Sequence, residues 1–343
     1  MLMQIEQSWE ENVCALRTFC KASPWLLVLG SIAFFGSQVG AQDASDYPNR
    51  TIRIIVGFTP GGAPDFTARV LAQSLQEQWK QPVVVENRPG AGSAIAAQYV
   101  ASAAPDGYTL MSITNAHAVA PAINPRLGYD AVKDFAPVTM TSSAPKWILV
   151  SPKLGVKTLK DLVALARQKP NELNYPSSGG GSFMHFSSAI FNDAVGIEAQ
   201  HIPFKGPSEA LTETIAGRVQ YAISPIGASA GLVRDGQLIA LAVTGKQRLA
   251  DFPDVPTVAE AGFPGTEQTT WTAMLAPART PAGIVAKLNQ AIGALLKQPD
   301  VRKRWAAFGI DPVSTTPDEL SKTLTQEIDD FTKAARKANI TAQ

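Results

Sequence analysis

Hydrophobic and polar positions along the chain switch between two periods. Residues 51–57 are a β-branched run of strand character that ends at Gly57, and the apolar residues after it, Val70, Leu71, Leu75 and Trp79, fall at helical spacing. The same switch recurs, predicting strands at 51–57, 83–86 and 109–113 and helices at 65–78 and 94–103. This βαβαβ order implies a mostly parallel sheet with helices on both faces. Between residues 130 and 151 the pattern changes: 138–143 and 147–151 read as strands broken at Ala144-Pro145, which suits a crossing between domains. A second alternating block follows, with helices at 158–168, 183–194, 208–216 and 226–234 and strands at 173–177, 199–203, 219–224 and 239–244. A Pro-rich run over 252–265 leads to a strand at 270–276, and two amphipathic helices, 281–297 and 317–337, close the chain.

Two alternating blocks predict two α/β lobes, one built from residues 42–143 plus 270–343 and the other from 144–269. A chain that crosses twice leaves a hinge and a cleft, and ligands of open α/β sheets sit at the carboxyl ends of strands. Three strand-to-helix corners stand there. The first is Phe58-Thr59-Pro60-Gly61-Gly62-Ala63-Pro64-Asp65, where Pro64 suits the first helical turn and Asp65 opposes the positive helix end. The second is Ser177-Ser178-Gly179-Gly180-Gly181-Ser182, and the third runs from Ser224 to Gly227. A glycine-rich turn at a helix start exposes backbone N–H groups and receives an anion without an arginine. Two such starts facing one cleft would clamp one or two carboxylates.

Composition narrows the function. With 343 residues, 45% hydrophobic and 17% charged, the chain is long enough for two domains, and a net charge of +1 without a basic block excludes a nucleic-acid surface. The N-terminus reads as an export signal: Arg17 and Lys21 precede an apolar run over 25–35, and Val39-Gly40-Ala41 supplies small residues for cleavage. Cleavage after Ala41 would remove Glu6, Glu10, Glu11, Arg17 and Lys21, together with Cys14 and Cys20, the two cysteines of the sequence. A chain so trimmed suits an oxidising compartment without disulfides and cannot build a thiolate metal site.

Other motifs carry less. Gly90-Ala91-Gly92 has neither the third glycine nor the acidic residue of a dinucleotide fingerprint, so no cofactor is expected. Gly227-Ala228-Ser229-Ala230-Gly231 matches a nucleophile pattern, but His117, His185 and His201 all precede Ser229, the wrong order for an α/β-hydrolase. No two histidines share a helix at ligand spacing, so no metal site is expected. His117, near Thr114 and Asn115, is a candidate for the cleft wall. His185 lies early on the helix after the second corner. Lys205 reads equally as a solvated loop charge or a cleft cation.

Tyr47-Pro48, Gly61-Gly62-x-x-Asp65 and Val83-x-Val85-Glu86-Asn87-Arg88-Pro89-Gly90-Ala91-Gly92 together resemble the start of the tripartite tricarboxylate transporter solute receptors, the Bug family. Pro105-Asp106-Gly107-Tyr108-Thr109-Leu110, Asp134-Phe135-Ala136-Pro137-Val138, Tyr175-x-Ser177-Ser178-Gly179 and Asp254-Val255-Pro256-Thr257-Val258-Ala259-Glu260-Ala261-Gly262 continue the resemblance in register. It implies a type II-like periplasmic binding protein: two doubly wound α/β sheets joined by a hinge, a ligand cleft between them, and a membrane permease as partner. It implies further that a small organic carboxylate is held by backbone groups and ordered waters from Phe58, Thr59, Pro60, Gly61, Gly62, Ala63 and Asp65 in one lobe. Ser177, Ser178, Gly179, Gly180, Gly181 and Ser182 would serve in the other, with Phe183 and His185 early on the helix that follows and Thr114, Asn115, His117, Lys205 and Ser224 on neighbouring loops. Many members carry an acidic residue where this chain has Ser224, which weakens an amino-acid ligand here. Phe183 and Met184 replace small polar residues and favour an apolar or aromatic acid. A monomer is expected, and an exported serine hydrolase or a carboxylate sensor are the alternative readings.

Overall fold

The computed structural model describes residues 45–124, 126–179 and 181–341. The proposed signal segment with both cysteines, and Gly180, lie outside the described residues.

The first block folds as its pattern predicts. Strand β1 (Ile52–Val56) pairs in parallel with β2 (Val83–Asn87) and with β3 (Thr109–Thr114). Helices α1 (Ala63–Trp79) and α2 (Ala94–Ala101) are the crossovers. Successive side chains of β1 point to opposite faces, so Ile52, Ile54 and Val56 join one core with Leu71 and Leu75 of α1, while Ile55 joins another with Ala96, Ala97 and Val100 of α2. A short helix α3 (Ala116–Ile123) follows β3; its internal Pro121 and its eight-residue length hide it from a periodicity reading.

The pattern predicts a break at Ala144-Pro145, but β4 (Phe135–Val150) is one strand of 16 residues. Its first part pairs antiparallel with β9 (Thr269–Pro277) as far as Pro145↔Thr269. From Lys146 onward it pairs with β7 (Tyr221–Pro225) and β8 (Ile239–Val243). Pro145 cannot donate to a ladder, and it stands where one set of partners ends and the next begins, so the strand passes through it.

The rest of the second block runs α4 (Leu159–Gln168), β5 (Asn174–Ser177), α5 (Phe183–Val195), β6 (Gln200–Pro203), α6 (Pro207–Ala216), β7, α7 (Ile226–Arg234) and β8. Ile148 and Val150 of β4 enter a core with Leu159, Leu162 and Phe191 on one face, and Trp147 and Leu149 meet Leu211 and Leu238 on the other. The principal ladder therefore runs β2-β1-β3-β9-β4-β7 with β8 also on β4, while β5 and β6 form a separate parallel pair. It is mixed rather than mostly parallel, because β9 returns antiparallel between β3 and β4.

Three helices, not two, close the chain: α8 (Ala282–Leu295), α9 (Pro299–Ala307) and α10 (Pro317–Lys337). α9 buries only Val301 and Trp305, too few positions for its period to register in sequence. α10 starts from a Thr316–Glu319 capping box and packs Phe331 against Phe186 of α5 as well as beside the core under β9.

Candidate functional site

The first corner is shaped from within. Gly57 follows β1, and a Cβ there would lie 1.8 Å from the Ser93 hydroxyl oxygen and 2.9 Å from its Cα, so only glycine lets the loop before α2 pass. The buried Asp65 carboxylate accepts hydrogen bonds from the Gly61 N–H (3.0 Å), Asn87 Nδ2 (2.8 Å) and Arg69 Nε (3.0 Å). Burial works against this charge, but the bonds from Arg69, Gly61 and Asn87 outweigh it and hold the carboxyl below its ordinary range. Asn87 also donates to the Phe58 carbonyl at 3.0 Å. Asp65 thus fastens the turn and leaves the N–H groups of Gly62 and Ala63 without an intrahelical acceptor.

The second corner is fastened in the same manner. Ser182 caps α5 by accepting the His185 N–H at 3.3 Å. Ser177 is buried and accepts the Gly179 N–H (3.1 Å), with His201 Nε2 2.6 Å away. The Gly181 N–H, at φ +71°, donates to His185 Nδ1 at 3.3 Å. Each glycine-rich turn is therefore braced by hydrogen bonds among its described residues.

These corners meet at a cavity of about 650 Å³. Phe58, Thr59, Gly62, Ala63 and Pro64 of the first corner, Ser178 and Gly181 of the second, and Pro225, Ile226 and Gly227 of the third line it, with Thr114, Asn115, Phe183 and Met184. Pro60, Gly61, Asp65, Ser177, Gly179 and Ser182 support the corners without reaching the wall. No Asp, Glu, Lys, Arg or His side chain is among the described lining residues, and the polar groups on offer are hydroxyls, amides and backbone. β4 and β9, the strands that join the two parts of the ladder, contribute Ser142, Ala144, Pro145, Thr270, Trp271 and Thr272. Sequence reading missed these and the Phe308-Gly309-Ile310 loop after α9. The strand residues follow from the β4–β9 crossing once it is known to be continuous; the loop carries no local signal.

Four expected wall residues lie elsewhere. His117 is buried against Tyr129 and Phe135, with Nε2 2.9 Å from the Ala131 carbonyl oxygen, and burial lowers its pKa to about 4. An apolar neighbourhood drew it into the core rather than the cavity. His185 stacks on His201 at 3.5 Å between ring centroids and, with Tyr175, lines a separate cavity of about 370 Å³ behind the second corner. Burial, with the neighbouring His201, lowers the His185 pKa to about 4, and burial lowers that of His201. Lys205 is exposed, outside the wall, and its N–H donates to Glu209 at 3.0 Å. Ser224 is buried in β7 and donates to the Pro225 carbonyl at 3.3 Å. Ser229, the serine of the nucleophile pattern, is buried, receives the Trp147 indole N–H at 3.0 Å and donates to the Pro225 carbonyl at 3.1 Å. Its hydroxyl is committed to structure.

Residues 67–340 match the model of the tripartite tricarboxylate transporter family receptor, a span that begins in the second turn of α1 and runs through α10. The chain belongs to the tripartite tricarboxylate transporter receptor family. Its members are periplasmic solute-binding proteins of the Bug type. Protein BugT of Bordetella pertussis is 35% identical over 314 residues, covering 91% of this chain and 96% of that one. Among solved structures, Rpa4515 of R. palustris with adipate is 35% identical, with a TM-score of 0.67 over 86% of this chain and 99% of that one. MatC from Rhodopseudomonas palustris with bound malate is 33% identical, with a TM-score of 0.64 over 84% and 99%. The fold is accordingly the two-lobed α/β fold of periplasmic binding proteins, as the resemblance implied. The receptor family is one of solute capture, which is not itself a chemical transformation.

Proposed function

We propose that the chain is an exported receptor that captures a small organic carboxylate between two lobes and delivers it to the membrane permease of a tripartite transporter. Residues 42–143 with 270–343 form one lobe and 144–269 the other, and the β4–β9 crossing is the hinge. Residues 1–41 direct export to the periplasm, and the receptor acts as a monomer.

The observation that carries this reading is a cavity with no charged side chain among its described lining residues, onto which the start of α1, with the Gly62 and Ala63 N–H groups, and the corner before α5 both open. A desolvated carboxylate needs donors, and the Gly62 and Ala63 amides with the Thr59 and Ser178 hydroxyls are such donors. The other walls are Phe58, Phe183, Met184, Ile226, Trp271 and Phe308, which favour an acid with an apolar or aromatic body. With no acidic residue among the described wall residues, an amino group on the ligand finds no carboxylate partner there, so amino acids are disfavoured.

A thermal-shift screen of the mature chain with adipate, malate and benzoate tests the proposal. A ligand that binds the folded form alone stabilises it by mass action, about 2.7 kcal/mol at a hundredfold excess over Kd. A rise in Tm with at least one acid supports capture. No rise with any of the three, or turnover of an ester substrate that Ser229→Ala abolishes, overturns it.

A further inference from the structure

Behind the cavity wall lies a charge that no wall residue explains. Lys146 is 1% exposed and directly follows the wall residues Ala144 and Pro145 on β4. Its backbone is fixed on both sides by Thr244, which donates N–H to its carbonyl at 2.8 Å and accepts its own N–H through Oγ1 at 2.9 Å. The side-chain ammonium donates to Ser187 Oγ at 2.6 Å and sits 3.8 Å from the centroid of the Phe183 ring, which itself lines the cavity. Ser187 passes its own proton to the Phe183 carbonyl at 2.7 Å, so it serves the ammonium as an acceptor.

The charged group that acts on Lys146 is Glu327 of α10. Its carboxyl is engaged by two wall residues, receiving Asn115 Nδ2 at 2.8 Å and the Trp271 indole N–H at 2.7 Å. Lys146 and Glu327 form no direct ion pair, so the ammonium has one strong acceptor and an aromatic face for its three donors. A buried cation so partnered has only the Glu327 carboxyl, out of ion-pair contact, as counter-charge, and its field is felt across a low-dielectric wall.

We propose that Lys146 is the counter-ion of the bound acid, a specificity-determining residue that acts on the carboxylate from behind the Phe183 ring and takes up a solvent proton as the anion enters. This rests on the carboxylate reading above. Burial lowers the Lys146 pKa to about 7, partly offset by Glu327, so the amine of the empty receptor is largely neutral at pH 8. An anion in the cavity restores the charged form: one proton moves from solvent to Nζ, and no bond to the ligand forms or breaks. The groups facing the Lys146 ammonium are the Ser187 hydroxyl and Phe183 ring of α5, and the charge acting on it is the Glu327 carboxyl of α10, on which Asp330 acts in turn. His117 and His185 titrate near 4 and do not enter the window above pH 6.5.

Isothermal titration at pH 6.5 and 8.5 tests this with whichever of adipate, malate and benzoate raises Tm, in buffers of unlike ionisation enthalpy. One unit of pKa change is tenfold in affinity, so affinity should fall on the order of five- to tenfold between these pH values, with net proton uptake at pH 8.5. Lys146→Met replaces a buried charge with an apolar chain of similar volume, a change folds tolerate, and it should bind the acid weakly at both pH values with no proton uptake. Equal affinity at both pH values, or a pH dependence that Lys146→Met keeps, overturns the inference; the latter assigns the proton to Glu327. If Lys146→Met does not fold, the ε-carbon resonance of Lys146 decides: its titration midpoint should rise on adding the acid, and a fixed midpoint contradicts the inference. No thermal shift with any of the three acids overturns the carboxylate reading itself, and this inference with it; binding without the pH dependence overturns this inference alone.

Discussion

Each side chain at the cavity is either a wall or a brace, and the two fail differently when changed. Gly62 is wall: a Cβ there meets nothing closer than Pro64 Cδ at 3.7 Å, so Gly62→Val should fold normally while its methyl groups enter the space beside the free amides. Loss of acid binding by at least tenfold in calorimetry, with unchanged Tm, is the expected outcome. Lys205→Ala, exposed and off the wall, should leave affinity within about twofold. Gly57 is brace: Gly57→Ala forces a methyl into Ser93, an overpacking that should cost about 1–3 kcal/mol by urea denaturation. Little change there would mean that the loop before α2 yields freely. At this scale the sequence was legible in part. Glycine-rich turns announced themselves, but whether Asp65 faces a ligand or its own turn depends on Asn87 and Arg69, which only the folded corner brings beside it.

Among the elements, β4 and α10 hold the arrangement together. The first changes partners at Pro145, and the second touches α3, β4 and α5. Periodicity found the strands and helices whose faces are buried over several turns, including α10, at its observed limits of Pro317–Lys337. It missed α3 and α9, which are short, and it mistook a proline at a change of strand partner for a break. The Thr316 cap begins α10 with a hydrogen bond to the Glu319 N–H at 3.2 Å, paired with the return bond from the Thr316 N–H to the Glu319 carboxylate at 2.8 Å. Thr316→Ala should lower stability by about 1 kcal/mol, read from the urea midpoint, without changing acid affinity at saturating stability. A large affinity loss would mean that α10 places Glu327 beneath the wall only when its first turn is intact.

For the molecule as a whole, acid should destabilise before the carboxylates titrate. His117 and His185 have folded pKa values near 4, below the ordinary 6.5, so the unfolded chain binds protons first. The stability their neutral forms confer is complete above pH 6.5 and is lost as pH falls toward 4. Calorimetry should show Tm dropping between pH 6.5 and 4.5, with the drop reduced in the His117→Gln, His185→Gln double variant; an unchanged drop would place it in other groups. The α/β class, the cleft corners and the family were all visible in sequence, because turn chemistry and order of elements are local. The cavity floor was not, because β4, β9 and the loop after α9 converge there from distant parts of the chain. Charge was the least visible property: Lys146 reads as a routine strand residue until its burial is known.

In the proposed receptor an anion is held by backbone donors in a cavity whose described wall carries no charged side chain. This is tested most directly by calorimetric titration of the mature chain with benzoate, adipate and malate beside their carboxamides, which keep shape and lose charge. At least one acid should bind saturably at one site per chain, with its carboxamide at least a hundredfold weaker. Equal binding of acid and carboxamide, or no binding of any acid, would contradict the account.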